Sequence, residues 1–232
     1  MHRLITCLCV TWLLSAPALA AGSLRVAPTR LDLKLDKRAT VLAVRNTGDA
    51  PTFLQIETKL WSQENGADVY SDANDLIVSP PVFSIDPGAE QIVRVARRTI
   101  DLPTQEKSYR LFVQEVPVAS DAQQQQLNVV LRIGVPVFVT PPAASAPQIE
   151  WSLSCPPSGP QALRILNSGG QALRIDELSI RAAGADQVEH AVYVLAGAAR
   201  SIPITNASTR APQVAVLGKA REQELQGSAS CQ

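Results

Sequence analysis

Apolar residues in this chain recur at every second position, in short runs cut off by Pro, Gly, Asn and Asp. That period places successive side chains on opposite faces of a sheet and argues against a helical protein. Leu31-Asp32-Leu33-Lys34-Leu35 alternates without a fault, and Thr40–Arg45 repeats the pattern up to the turn signal Asn46-Thr47-Gly48-Asp49. Further strands are expected over Thr52–Trp61, Leu76–Val78, Gln91–Val95 (entered from the tight turn Asp86-Pro87-Gly88-Ala89), Tyr109–Val116 and the long run Leu127–Val139. Seven strands over about 120 residues is the size of one immunoglobulin-like sandwich.

Thr140–Pro147 breaks every pattern. It is rich in Pro and Ala, has no apolar period, and reads as a stiff linker. Strands resume after it at Glu150–Leu153, Ala162–Asn167, Leu173–Ile180, Ala191–Leu195, Arg200–Ile204 and Gln213–Val216, with Ser168-Gly169-Gly170 expected as a hairpin-type turn. The expected fold class is all-β: two immunoglobulin-like β-sandwich domains, residues 21–142 and 146–232, joined by a Pro-rich hinge. Ala119–Gln126, ending in four glutamines, is expected as a polar loop of the first domain.

The first 20 residues stand apart. Arg3, the apolar stretch Leu4–Leu14 and Ala18-Leu19-Ala20 form the three parts of a secretory signal, with cleavage expected near Ala20. Export makes an oxidising compartment the expected setting. The two cysteines outside the signal, Cys155 and Cys231, are therefore expected as a disulfide, a metal site being disfavoured because no histidine lies near them.

Charge excludes several function classes. The 21 Lys+Arg meet 21 Asp+Glu, and the balance holds in both halves, so no basic field exists to attract nucleic acid or anionic lipid. No membrane insertion is expected beyond the signal. Catalysis finds little to stand on, since the chain has no Gly-x-Ser-x-Gly, Gly-x-Gly-x-x-Gly, Walker loop, His-Glu-x-x-His or calcium loop, and its single histidine outside the signal is His190. No enzyme activity, cofactor or metal is expected.

The informative segment is Leu127-Asn128-Val129-Val130-Leu131-Arg132-Ile133-Gly134-Val135. Leu127, Val129, Leu131, Ile133 and Val135 share one face as an unbroken apolar ridge. Either the ridge faces the domain's own core, or it lies on an edge strand kept open for pairing with another chain. Periodicity leaves both readings standing.

Three stretches resemble the periplasmic chaperones of the chaperone–usher pilus pathway. They are Val82–Arg94 with its Pro-Gly-x-x-Gln-x-x-Arg core, Glu106–Pro117 ending in Glu-Val-Pro, and Leu127–Pro142. The resemblance implies an L-shaped pair of domains that lends a strand to pilus or fimbrial subunits and delivers them to an outer-membrane usher. Leu127, Val129, Leu131 and Ile133 match the donor positions. Arg30 matches a cation that anchors the subunit's C-terminal carboxylate. Pro136 stands where a second cation, a Lys, is usual, and Thr140 where an Arg of an interdomain salt-bridge set is usual. Those departures resemble the archaic, spore-coat-protein-U-associated branch. A bidentate guanidinium suits a carboxylate, and Arg110 and Arg132, each interrupting an apolar strand, are the further candidates for the anchor, with Arg110 favoured and Arg30 second. The alternatives are an exported two-domain structural or adhesive surface protein and an exported sandwich enzyme or carbohydrate-binding module. Self-association of the free chain is one way such a ridge could be covered.

Overall fold

The computed structural model describes residues 24–101, 103–117, 130–157, 161–182, 185–205, 211–221 and 223–231, and every element in it is a strand. The expected signal, Leu127, Val129 and the glutamine-rich segment lie outside the described residues.

Ten strands build the first sandwich: β1 (Leu24–Ala27), β2 (Leu31–Leu33), β3 (Ala39–Asn46), β4 (Thr52–Glu64), β5 (Ala67–Asp72), β6 (Leu76–Ser79), β7 (Val82–Ile85), β8 (Glu90–Arg97), β9 (Lys107–Glu115) and β10 (Arg132–Val139). One sheet runs β1-β3-β8-β6. The other runs β2-β10-β9-β4-β5, with β7 also paired to β4. The inward parity of each strand fills one core, including Leu42, Leu54, Val93, Leu111 and Val137, all fully buried.

Seven strands build the second sandwich: β11 (Ile149–Ser154), β12 (Ala162–Asn167), β13 (Leu173–Ala182), β14 (Ala185–Val194), β15 (Ala199–Pro203), β16 (Gln213–Ala220) and β17 (Gln223–Ser230). Its sheets are β11-β12-β15 and β14-β13-β16-β17, around a core that includes Leu163, Ile165, Leu178 and Val216. Cys155 and Cys231 form the expected disulfide, closing the seam where β17 reaches β11.

Three expectations need correcting. Strands β1, β5, β7 and β17 were not anticipated. Strand β17 reads Gln-Glu-Leu-Gln-Gly-Ser-Ala-Ser, so no apolar period announces it, yet it pairs with β16 over its full length. Strand β5 follows Asn65-Gly66, a dipeptide whose two positive φ angles (51° and 80°) make the tight turn of a β4–β5 hairpin. The run Leu31–Leu35 stops at Leu33, because the chain turns away with Lys34 N–H bonded to the Lys37 carbonyl, and Leu35 is exposed. Ser168-Gly169-Gly170 is not a hairpin, since β12 and β13 belong to opposing sheets.

That crossing repeats one in the first domain. Asn46 and Asn167 each end a strand just before a sheet change, and both are fully buried. Each side-chain oxygen accepts the N–H two residues on (Gly48, 2.9 Å; Gly169, 3.0 Å), and each amide donates to two carbonyls. Burying an amide at this point is tolerated because its hydrogen bonds are met, partly within the turn it shapes and partly by a carbonyl of a distant strand (Ile85 for Asn46, Val194 for Asn167).

Candidate functional site

Strand β10 pairs antiparallel with β9 from Arg132 to Val139, but β2 covers its other edge only at Val137–Val139. Residues 132–136 therefore have a neighbour on one side and, among the described residues, no strand on the other. The ridge changes character along this open stretch. Val135, Val137 and Val139 are buried in the first core, Ile133 packs half-buried against it, and Leu131 lies just beyond the strand end. Leu131 is still tied to β9. Its N–H donates to the Glu115 carboxylate (3.0 Å), and its carbonyl accepts the Glu115 N–H (3.0 Å). The ridge thus begins as core and emerges from it toward Leu131.

The opposite face of this sheet meets the second domain. Trp61 (3% exposed) and Phe138 (0%) lie on the outward parity of β4 and β10, and they pack with Ala172 and Leu195 of the second sandwich. Tyr193 closes edge-on to Trp61 at 5.2 Å and lies 6.2 Å from Phe138. Polar contacts fasten the same junction. Gln63 donates to the Tyr193 carbonyl (2.8 Å) and accepts the Leu195 N–H (3.0 Å), and the Gly66 carbonyl accepts the Ser201 N–H (2.9 Å). On the hinge side, Glu106 accepts from the Thr140 hydroxyl (2.6 Å) and from the Ala172 N–H (2.7 Å). Burial raises the Glu106 carboxyl above its ordinary range, against the pull of those two donors.

The three candidate cations occupy three different settings. Arg30 is forked onto Asp32 (Nε 2.9 Å, Nη2 2.8 Å) and lies 4.2 Å over Phe138. Arg132 pairs with Glu57 (3.0 Å) and lies 3.8 Å over Phe112. Arg110 makes no ion pair among the described residues. Its guanidinium sits 4.1 Å over the Trp61 ring and 5.6 Å from Tyr193, lining a cavity between the domains. Arg30 lines a separate cavity by the hinge, so the structure does not bring Arg30 and Arg110 into one site.

Sequence reasoning passed over Trp61, Phe138, Tyr193 and Arg200, which form the junction. The signal available was local: Val135-Pro136-Val137-Phe138-Val139 is apolar on both parities, as a strand covered on both faces must be.

The geometry is that of a two-domain immunoglobulin-like protein whose β10 has, among the described residues, no strand on one side of residues 132–136, with a cleft between the domains that Arg110 lines. Residues 23–145 match the family model described as pili and flagellar-assembly chaperone, PapD N-terminal domain. The chain belongs to this pilus-assembly chaperone family. It is 26% identical over 163 residues to the probable fimbrial chaperone LpfB of Escherichia coli O157:H7, covering 69% of this chain and 64% of that protein. It is 27% identical over 143 residues to the chaperone protein LpfB of Salmonella typhimurium, covering 60% of this chain and 59% of that one. The chain thus spans under two thirds of the length of these relatives. A chain of the CsuC–CsuE chaperone–tip subunit pre-assembly complex from archaic Csu pili of Acinetobacter baumannii has the same fold, with a TM-score of 0.71 at 20% identity over 91% of this chain and 100% of that one. A chain of the Salmonella enterica SafA pilin–SafB chaperone complex gives a TM-score of 0.62 at 16% identity, over 90% and 98%.

Proposed function

We propose that this protein is a periplasmic chaperone, exported by residues 1–20 and cleaved near Ala20, that stabilises pilus or fimbrial subunits by lending them a strand and hands them to an outer-membrane usher. The observation that carries the reading is the half-open β10. A ridge that is core at Val135 and leaves the core at Ile133 and Leu131, beside an edge with no partner strand among the described residues, can complete another sandwich by β-augmentation. Leu127, Val129, Leu131 and Ile133 are the donated side chains, carried by the domain spanning 21–142, and 146–232 is the second domain. Arg110 is the anchor for the client's terminal carboxylate, because Arg30 and Arg132 are each already held by an acid. Family membership and the fold shared with chains of pilin–chaperone complexes support the same reading.

Co-expression with a fimbrial subunit from its own gene cluster tests it. The expected result is a soluble 1:1 complex, with the subunit alone aggregating or degraded. The pair Leu131→Asp/Val129→Asp should abolish the complex while the chaperone's melting curve stays in place. Unfolding of that variant would make the ridge core and end the proposal. Ile133→Asp, nearer the core, should lose the complex and also some stability.

A further inference from the structure

The sheet β1-β3-β8-β6 turns its outward face away from both the second domain and β10, since Trp61, Phe138 and the open side of β10 all belong to the opposing sheet. Its outward side chains alternate with the buried Leu42, Val44, Val93 and Val95, and cross-strand register sets them in rows. Arg25 stands opposite Arg45, and Arg45 opposite Glu90. Ala27, Ala43 and Ile92 make the next row. Arg94 then lies between Val41 and Ser79, and Ala96 between Ala39 and Ile77. Val41 (49% exposed), Ile77 (44%) and Ile92 (38%) thus bring large aliphatic chains of three adjacent strands to solvent on one face.

The charges on this face work against the fold. Like charges directly opposite on neighbouring strands repel, and Arg25 and Arg45 are such a pair. Neither they nor Arg94 make an ion pair among the described residues, although Glu90 faces Arg45 in register. Arg98, just past β8, spends its Nε on the Asn74 carbonyl (2.8 Å) and has no acid partner among them. Three guanidiniums on the face and a fourth at its end therefore meet one carboxylate, Glu90. The balance of charge over each half of the chain does not hold here, because these arginines come from separate stretches that only the sheet brings together. Rows of unpaired guanidinium beside exposed aliphatic chains complement a surface that is anionic and apolar at once.

We propose that this face docks the protein on an anionic lipid surface. Arg25, Arg45 and Arg94 take headgroup phosphates, which suit a forked guanidinium, and Val41, Ile77 and Ile92 enter the boundary between headgroups and acyl chains. The field of such a surface fades within about 8 Å at 0.15 M salt, so the charges of the contacting face decide the attraction and the neutrality of the whole chain does not oppose it. A second copy fits the face less well. A two-fold contact would set its arginine rows against their own kind, with one Glu90 per copy to relieve them. Docking by this sheet leaves β10, on the other sheet, free to take a client strand. The proposal stands independently of the strand-donation reading.

The test mixes the protein purified from the periplasm with vesicles of phosphatidylcholine, alone or with one quarter phosphatidylglycerol, and reads the bound fraction by flotation. The wild type should prefer the anionic vesicles by about tenfold or more, since each arginine held at such a surface is worth about fivefold. The preference should vanish at about 1 M salt, where the screening length is about 3 Å. Arg25→Ser/Arg45→Ser should weaken anionic-vesicle binding by about tenfold or more with no fall in melting temperature, because the change relieves a repulsion. Ile77→Ser/Ile92→Ser should weaken it severalfold and leave its salt dependence in place. The exposed pair Arg164→Ser/Lys219→Ser, on the second domain, should change nothing. Equal loss in that control pair, or unchanged binding in either of the first two variants, overturns the proposal. Equal binding to both kinds of vesicle overturns it as well. Absence of binding at millimolar lipid does the same, and would assign the face to a second copy if the chain sediments as a dimer that Arg25→Ser/Arg45→Ser dissociates, or to an acidic protein if it does not.

Discussion

Cutting the Cys155–Cys231 crosslink should unfasten the second domain while leaving the first standing. The bond closes a loop with a sequence separation of 76. Chain-entropy reasoning for a loop of that size gives about 15 cal/mol/K, or about 4.5 kcal/mol at 25 °C, by which the crosslink penalises the unfolded chain. The native side of the balance changes little. Gln161, which reaches Cys155 Sγ at 3.0 Å, keeps both of its bonds to the Ala211 backbone (2.8 and 2.9 Å) when the sulfurs are gone. The expected loss in Cys155→Ala/Cys231→Ala is therefore about 3–4.5 kcal/mol, a large part of the stability of a domain this size. At a urea m-value of about 1–1.5 kcal/mol/M, the midpoint of the second domain should fall by about 3 M.

Trp151 and Trp61 make the assay domain-specific. Trp151 packs on the second core and lies over Gly227 of β17, and Trp61 lies at the junction. With fluorine-labelled tryptophan, the Trp151 signal should move to low urea in the variant and the Trp61 signal should follow only in part. Amide exchange gives the finer readout. Strand β17 has one buried side chain, Ala229, and half-buried Leu225, so without the crosslink its amides should lose protection before those of β13 or β16. If the variant's midpoint stayed within about 0.5 M of the parent's, the loop-closure reasoning would be refuted, since an m-value of this size leaves no room for the expected energy.

Trp61→Ala should cost about 3–5 kcal/mol, the range for emptying a buried aromatic site, and should split a single calorimetric transition into two because the ring joins the domains; one unsplit transition would contradict it. Gly66→Ala places a Cβ against the Ser201 side chain and backbone at a φ of +80°, so it should loosen the junction and widen the interdomain distance distribution measured between spin labels on the two domains. Tyr109→Phe removes the hydroxyl that donates to Asp75 at 2.5 Å, at a cost of about 1 kcal/mol at neutral pH. Burial pushes the Asp75 carboxyl up, but the bonds from Tyr109 and Lys107 outweigh it and leave it below its ordinary value of 3.8, so its stabilisation is present above that value and fades as pH falls through the lowered one. Stability curves of wild type and Tyr109→Phe should therefore converge on acidification, and curves that stay parallel would sink the assignment.

The β-architecture was legible because alternation is a property of single strands. Leu42 and Val44 in the first half, and Leu163 and Ile165 in the second, declare their inward face within three or four residues. What alternation supplies is parity, not sign, and the ridge shows the consequence. In β10 the run from Leu131 to Val139 is one parity throughout, yet its lower half is core and its upper half leaves the core, and pairing with β2 stops at Val137. Nothing in residues 127–139 records where a strand so much earlier in the chain ends. Strand β17 escaped notice for the opposite reason: an edge strand held by backbone bonds and a disulfide needs little apolar burial, so its sequence can stay polar. The cleft depends on still longer range. Arg110 and Arg132 look alike in sequence, each a cation in an apolar strand, and only the cross-strand neighbour separates them. Arg132 leans to Glu57, whereas Arg110 leans to Trp61 and to Tyr193 of the second domain. Whether an acid stands beside either of these two cations is decided by strands distant in the chain, which is why the anchor is a candidate from the sequence and Arg110 is proposed for it only from the fold.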